Sequence, residues 1–378
     1  MKLELIATAT FGLEAVVRRE IENIGYKVLA TEDGKVTFLG DEHAIAKANL
    51  WLRAADRVLI KMAEFKALEF EELFQQVKGI SWEEWIPKDG HFVVNGSSVK
   101  SKLSSVPAIQ SVAEKAIVNR LGEFYGVSHF AKSGARYDIK ITFLKDRVTV
   151  TMDTTGPGLN KRGYRKLIGD APLKETMAAA MLELSFWNSG RILADPCCGS
   201  GTIPIEAALI GRNIAPGLSR SFASEEWEVI DKSVWKEERK KAFSEIDNDV
   251  ELKIYGSDID KNAIKIAIAN AEEAGVLDDI KFEVKDIGAF DMEGASGVVV
   301  TNPPYGERIG DQESIDEIYR AYKRFFIKHP TWSLFAITSD KTIEKKAFGR
   351  PADRRRKLYN GRLEVCYYQF HGIKPATR

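Results

Sequence analysis

Leu193-Ala194-Asp195-Pro196-Cys197-Cys198-Gly199-Ser200-Gly201-Thr202 reads as an apolar strand that ends in an acid, turns on glycines and opens a helix. Glycines let the backbone pass close to a bound ligand, and the first helical turn offers N–H groups that have no partner inside the helix. The same outline occurs in the Gly-x-Gly-x-x-Gly fingerprint of dinucleotide-binding dehydrogenases. Two features point elsewhere. The third glycine position falls on Pro204, and Asp195 stands just before the turn, where a pyrophosphate would be repelled but a cationic methionine moiety would not.

The following strands repeat the pattern. Ile254-Tyr255-Gly256-Ser257-Asp258 again ends in an acid, suited to accept hydrogen bonds from both ribose hydroxyls, and Val284-Lys285-Asp286 places a carboxylate where an adenine amino group could donate. Any one of these aspartates could merely cap the next helix, because Asp is a favoured N-cap residue. Three in series beside a Gly-Ser-Gly turn predict S-adenosylmethionine, held in a crevice at the carboxyl edge of a parallel sheet. Strand and helix patterns alternate from Arg191 to Ile337, so that sheet should carry helices on both faces. Residues 211–250, charged and containing Trp227 and Trp235, stretch the gap between Gly201 and Asp258 far past the ~20 residues of a simple unit. They read as a helical insertion near the crevice.

After the fourth strand, Val298-Val299-Val300-Thr301, comes Asn302-Pro303-Pro304-Tyr305-Gly306. This loop suits methyl transfer to a planar exocyclic amine, whose lone pair is delocalised into its ring and must be localised before it attacks. The Asn302 amide oxygen and the Pro303 carbonyl can accept from both amine hydrogens, while Pro303 and Pro304 stiffen the loop that holds them. Tyr305 would stack on a base flipped out of its surroundings. Alone, the motif could be a turn; its place one strand beyond the cofactor acids selects the catalytic reading. Cys197 and Cys198 lie in the cofactor turn and the substrate loop has no cysteine, which argues against a covalent thiol mechanism.

Composition narrows the class. Apolar residues are 44% and charged residues 29% of the 378, and no stretch approaches the roughly 20 apolar residues of a membrane span. The first ten residues look like a strand rather than a signal peptide, and three cysteines form neither a disulfide framework nor a zinc-ligand spacing, so a cytoplasmic protein without a metal is expected. Net charge is zero but unevenly spread: residues 97–166 hold 13 Lys and Arg against 5 Asp and Glu, an excess of eight. A solvated face would explain such a block; so would phosphate contacts. Upstream, residues 1 to about 60 read strand, helix, strand, helix, and a second α+β unit runs from about Phe65 to Asp153 before Gly156-Pro157-Gly158 breaks the chain.

Asp195-Pro196-Cys197-Cys198-Gly199-Ser200-Gly201-Thr202 together with Asn302-Pro303-Pro304-Tyr305-Gly306-Glu307-Arg308 resembles the THUMP-domain RNA guanine methyltransferases, most of all the bacterial 23S ribosomal RNA guanine 2-amino methyltransferases, whose larger members carry this layout as their first half. Leu159-Asn160-Lys161-Arg162-Gly163-Tyr164-Arg165, Ala171 to Thr176 and Arg355 to Gly361 extend the likeness over nearly the whole chain. The resemblance implies a ferredoxin-like domain (1–64), a THUMP RNA-binding domain (65–155) and a Rossmann-like α/β methyltransferase domain (156–378). It implies methylation of a guanine 2-amino group, most naturally in 23S ribosomal RNA, with transfer RNA as the near alternative. Cofactor contacts are expected from Asp195, Cys197, Gly199, Gly201, Thr202, Asp258, Ile259, Asp286 and Ile287, with Glu175 and Thr176 near the methionine end. RNA contacts are expected from Lys100, Lys132, Arg136, Lys161, Arg162 and Arg165, and the run Arg354-Arg355-Arg356-Lys357 is a further contact or a solvated loop. The chain ends at 378, short of the second methyltransferase half, so dual activity is not expected. Competing readings are a DNA adenine 6-amino methyltransferase, an RNA-binding assembly factor with a vestigial cofactor site and, most remote, a nicotinamide-dependent oxidoreductase.

Overall fold

The computed structural model describes residues 2–165, 173–304, 312–361 and 363–373. Two compact units emerge: one from Met1–Ala9, Arg18–Leu159 and Arg220–Lys241, the other from Thr10–Val17, Asn160–Ser219 and Ala242–Arg378. No helix among the described residues is long and apolar enough to cross a membrane.

The first unit is built on one seven-stranded sheet: β1 (Leu3–Ala9), β2 (Lys27–Glu32), β3 (Lys35–Gly40), β4 (Ala55–Lys66), β5 (His91–Val99), β6 (Arg136–Leu144) and β7 (Arg147–Asp153), in spatial order β2-β3-β1-β4-β7-β6-β5. The sheet does not stop at the expected 64/65 boundary. Strand β4 is long enough to pair with β1 through Leu5↔Ile60 on one side and with β7 through Phe65↔Val148 on the other. Only β5 and β6 pair in parallel, His91↔Arg136 to Val99↔Leu144, because the helix Val106–Tyr125 carries the chain back between them. That helix starts with Pro107 in its first turn, where a missing N–H costs nothing, and ends at Gly126 in the left-handed conformation.

Residues 220–241 belong to this first unit although they lie between two strands of the second. Trp227 is 1% exposed; its ring stacks on Tyr137 at 4.9 Å, and its indole N–H donates to the Arg136 carbonyl at 3.0 Å. Ser224 adds a hydroxyl bond to the Thr154 carbonyl at 2.9 Å. The insertion is thus moored by a buried aromatic whose polar atom is satisfied, the condition for burying Trp.

The second unit holds the other seven-stranded sheet: β8 (Ile192–Asp195), β9 (Ile254–Asp258), β10 (Ile280–Val284), β11 (Gly297–Thr301), β12 (Ser333–Thr338), β13 (Arg354–Asn360) and β14 (Leu363–Phe370), in the order β10-β9-β8-β11-β12-β14-β13. The five strands β10 to β12 run parallel and β14 returns antiparallel between β12 and β13. Strand β11, Gly-Val-Val-Val-Thr, is buried along its whole length, as expected of a central parallel strand covered on both faces. After α1 (Glu14–Asn23), α2 (Glu42–Trp51), α3 (Phe70–Lys78) and α4 (Val106–Tyr125) earlier in the chain, helices α5 (Glu175–Leu184), α6 (Thr202–Gly211), α8 (Lys261–Glu273) and α9 (Gln312–Lys328) supply that cover, and α7 (Lys232–Ser244) lies in the insertion. Strand order reverses between β8 and β11, the switch point at which open α/β sheets place ligands.

Candidate active site

A cavity of about 540 Å³ opens at that switch point, lined by the turn after β8, the ends of β9 and β10, and Asn302 and Pro304 beyond β11. Its size suits a cofactor of several tens of atoms. Helix α6 begins at Gly201, whose φ of +80° and close neighbours leave no room for a side chain: a Cβ would stand 2.9 Å from the Ala267 Cβ and 3.2 Å from Phe282 Cζ. Gly199 has φ +53° and faces open space, so the backbone itself forms the wall there.

The three strand-end aspartates occupy different environments. Asp195 is 2% exposed, accepts from the Cys197 N–H at 3.2 Å, and has its carboxyl pushed up to about 7 by burial, against the opposing influence of the Thr301 hydroxyl and the Cys197 amide. Asp258 is half-buried, taking the Gly199 N–H on Oδ2 at 2.9 Å and the Asp260 N–H on Oδ1 at 3.0 Å. A carboxylate offers about four lone-pair sites, so both oxygens can still accept from ribose hydroxyls. Asp286 is exposed and caps the next turn through Gly288 at 2.6 Å. The capping bonds leave lone pairs unused on Asp258 and Asp286, so a cap role does not exclude a ligand there.

Asn302 differs from all of these. Its amide oxygen is buried and has no hydrogen-bond partner among the described residues. An acceptor left so costs roughly 1–3 kcal/mol, and at Asn302 the adjoining cavity leaves room for a ligand to supply the missing donor. Pairing of Val299 with Ala194 sets Asn302 just beyond the level of Asp195 on the neighbouring strand. Burial raises both the Cys197 and Cys198 thiols, so neither is a thiolate nucleophile.

Comparison with known proteins agrees with this architecture. Residues 4–59 match an RlmL ferredoxin-like domain, 67–153 a THUMP domain, and 162–369 an RMKL-like methyltransferase domain. The chain belongs to the RMKL-like methyltransferase family. Its relatives include Bacillus subtilis YpsC, whose name proposes an RNA methyltransferase, 46% identical over 100% of this chain and 98% of that protein. Another is the ribosomal RNA large subunit methyltransferase K/L of Shewanella baltica (strain OS185), 32% identical over 98% of this chain but 53% of that protein, so the chain spans about half its length. Among solved structures, a Listeria monocytogenes protein described as a proposed N6-adenine-specific DNA methylase superposes with TM-score 0.94 at 47% identity, covering 99% of this chain and 97% of that one. SMU.472, proposed to be a methyltransferase and solved complexed with SAH, gives TM-score 0.93 at 44% identity over 99% of both chains. S-adenosylmethionine is the cofactor, and the residues fit it: an acid ready for a cation, a side-chain-free turn, and carboxylates at the next two strand ends.

For the RMKL-like chain, the cavity lining includes Asp195, Cys197, Gly199, Thr202, Asp258, Ile259, Asp286 and Ile287. Ile259 is 70% exposed, an apolar side chain held open at the cavity rim. Gly201, Glu175 and Thr176 do not line it. Glu175 is buried beneath, 3.2 Å from Arg165, and burial pushes its carboxyl up against the pull of that guanidinium. Leu173 takes the place expected for Glu175, and Asn262, Ala263 and Ile266 of α8 join the wall. Their signal was available: Asp260 caps α8, so the first turn of that helix had to face the crevice. No residue of the 211–250 insertion lines the cavity.

The expected RNA contacts separate. Arg162 is 3% exposed and its guanidinium lies 3.3 Å from the fully buried Glu206, which also accepts from the Tyr164 hydroxyl at 3.1 Å. Arg165 is turned inward, donating to Thr202 Oγ1 at 2.8 Å and to the Leu173 carbonyl at 3.1 Å. Arg162 is buried against α6, which corrects its reading as a phosphate contact, whereas Arg165 is partly exposed and engaged by Glu175 and Thr202. Lys100, Lys132 and Lys161 are exposed, and Arg136 is exposed but paired with Asp138 at 2.8 Å. Lys100 follows the carboxyl end of β5, whereas Arg136 begins β6 beside the amino end of β5, about 30 Å away along the strand. Tyr305 lies outside the described residues.

Proposed function

We propose that this chain methylates the exocyclic 2-amino group of a guanine in large-subunit ribosomal RNA. The observation that carries the reading is the buried, unpartnered Asn302 oxygen at the carboxyl edge beside Asp195. An amine conjugated to a purine is planar and weakly nucleophilic; an acceptor already in place for its hydrogen pulls density onto nitrogen without reorganisation during the reaction. Pro303, the next residue, is buried and in this reading offers its carbonyl for the second hydrogen. S-adenosylmethionine, when bound, supplies an electrophilic methyl group on a positively charged sulfur. Asp195, Asp258 and the glycine turn hold that cofactor, and Tyr305, next in the loop, is the proposed stacking surface for the flipped base. The chain needs no strong general base, since the amine loses its proton only after it has become cationic.

The THUMP match and the ribosomal RNA name of the K/L relatives support RNA, and large-subunit RNA in particular. The DNA-methylase description of the Listeria structure supports the rival reading, because an Asn-Pro-Pro loop serves adenine equally. The deciding assay supplies labelled S-adenosylmethionine with ribosomal RNA, transfer RNA and DNA from cells lacking the gene, followed by nucleoside mass analysis. Label as 2-methylguanosine in large-subunit RNA, lost in Asn302→Ala, is the expected result. Label in transfer RNA, or as 6-methyladenine in DNA, overturns the substrate. No label with any of the three nucleic acids overturns the catalytic reading in favour of a binding factor.

A further inference from the structure

We propose that Phe11 and Tyr359, with the basic strand β13, form a stacking platform for an unpaired nucleobase of the RNA substrate, distinct from the cofactor cavity. The inference rests on the RNA reading above. Phe11 is 48% exposed, and its ring meets Tyr359 edge-on at 6.1 Å. Exposed phenylalanines are common and need no explanation by themselves; this one is held in place. Gly12 follows it at φ +90°, pressed so closely on β13 that a Cβ would stand 2.7 Å from the Lys357 carbonyl. Arg356 donates to the Gly12 carbonyl at 2.8 Å, and the Leu13 N–H closes the turn onto Thr10 at 2.9 Å. The loop therefore spends a glycine and an arginine on presenting an aromatic ring to solvent.

The surroundings are cationic. Four successive cations, Arg354 to Lys357, have two carboxylate partners among the described residues, Glu344 on Arg355 and Glu364 on Lys357. Lys357 also sits 5.5 Å from the centre of the Tyr359 ring. Aromatic rings interleaved with an excess of positive charge suit a single strand, whose bases stack while its phosphates are neutralised. The Lys357–Glu364 pair is exposed on both sides, so a phosphate can replace the carboxylate at little cost.

Position in the sheet relates the platform to catalysis. Thr301 pairs with Ala336, Thr338 with Cys366, and Tyr359 with Glu364, so Tyr359 stands about three residues beyond the level of Asn302 on the same carboxyl edge. Three strand spacings separate β11 from β13, about 14 Å across, with a further ~10 Å along the strand direction. A flanking nucleotide of a strand entering the active site can reach that distance.

The test is fluorescence anisotropy with a labelled single-stranded RNA of about twelve nucleotides and an abasic twin of the same length. Wild type should prefer the base-bearing strand. Phe11→Ala should weaken that binding about tenfold, leave the abasic strand unchanged, and leave the S-adenosylmethionine-induced thermal shift intact, while Phe11→Trp keeps the preference. Equal binding of both strands by wild type, or wild-type affinity in Phe11→Ala, overturns the platform. Absence of methyl transfer to any nucleic acid would sink the functional reading yet leave this binding comparison to be decided on its own result.

Discussion

Replacing Arg162 by leucine separates a structural arginine from an RNA contact. Its guanidinium is 3% exposed, and the Glu206 carboxylate it faces is 0% exposed. Leucine would leave that carboxylate buried with the Tyr164 hydroxyl and no cation of its own at this distance. Removing one member of a buried pair costs about 3–5 kcal/mol, because the surviving charge stays desolvated. At about 2–4 °C per kcal/mol for a unit of roughly 200 residues, the melting temperature of the second unit should fall by about 6–20 °C. Differential scanning calorimetry reads this directly, and the Arg162→Leu/Glu206→Leu double variant should recover much of the loss, since replacing both charges by packed apolar groups is often near neutral. A phosphate contact predicts another pattern: unchanged melting, and a slope of log binding constant against log salt reduced by about one. A loss under ~1 kcal/mol in Arg162→Leu, with or without the salt effect, would refute the buried-pair account.

Further tests address the crevice and the insertion. Asp195 titrates near 7 in the unliganded chain against 3.8 in an exposed carboxyl, so the folded state holds a proton that the unfolded state releases, and stability contributed at low pH should fade as pH rises from about 4 to 7. A cationic cofactor needs the carboxylate; its dissociation constant should therefore drop about tenfold per pH unit up to pH ~7 and level off above, and calorimetric titration of Asp195→Asn should show no such dependence. Gly201→Ala, forced into a positive φ and against Ala267, should lose about 1–3 kcal/mol and bind S-adenosylmethionine more weakly, as thermal melts with and without cofactor would report. Trp227→Ala should cost about 3–5 kcal/mol in the first unit while leaving cofactor affinity unchanged; a change in that affinity would contradict the placement of the insertion.

The legible part of the fold was the part in which one local rule dominates. Strands β8 and β11 bury an apolar run, and all four strands from β8 to β11 lead into a polar or charged residue that lines the crevice, so periodicity and turn chemistry agree there. Strand β4 carries no legible strand pattern, because Ala-Asp-Arg-Val-Leu-Ile-Lys-Met-Ala-Glu-Phe-Lys loses its alternation where the register shifts between Lys61 and Ala63. Its two edges serve different neighbours, a fact no local pattern carries. In strand β13 the run Arg-Arg-Arg-Lys suggests a solvated loop by sequence alone; as an edge strand it tolerates charge on its outer positions, and within the strand Leu358 alone is fully buried. The insertion was detectable from its length, but its attachment to Tyr137, 90 residues earlier in sequence, is a tertiary choice.

The same distinction runs through the site. Motif residues whose role depends on their own backbone, such as Gly199, Asp258 and Asn302, stand where spacing placed them, since a strand end and a tight turn leave few alternatives. Long side chains obey no such rule. Arg162 and Arg165 follow one another at a spacing of three and share a basic neighbourhood with Lys161, yet they turn inward because Glu206 and Glu175, both on helices packed under the crevice, need cations more than solvent does. Counting charges along residues 97–166 therefore overstated the cationic surface, and the count could be corrected only by locating the buried acids. The buried acids were themselves visible in sequence: Glu206 sits mid-helix in Ile-Pro-Ile-Glu-Ala-Ala-Leu-Ile, a carboxylate inside an otherwise apolar helix, and such a group requires a partner. An isolated acid in an apolar helix is thus a claim on an arginine elsewhere in the chain, to be settled before that arginine is assigned to a nucleic acid.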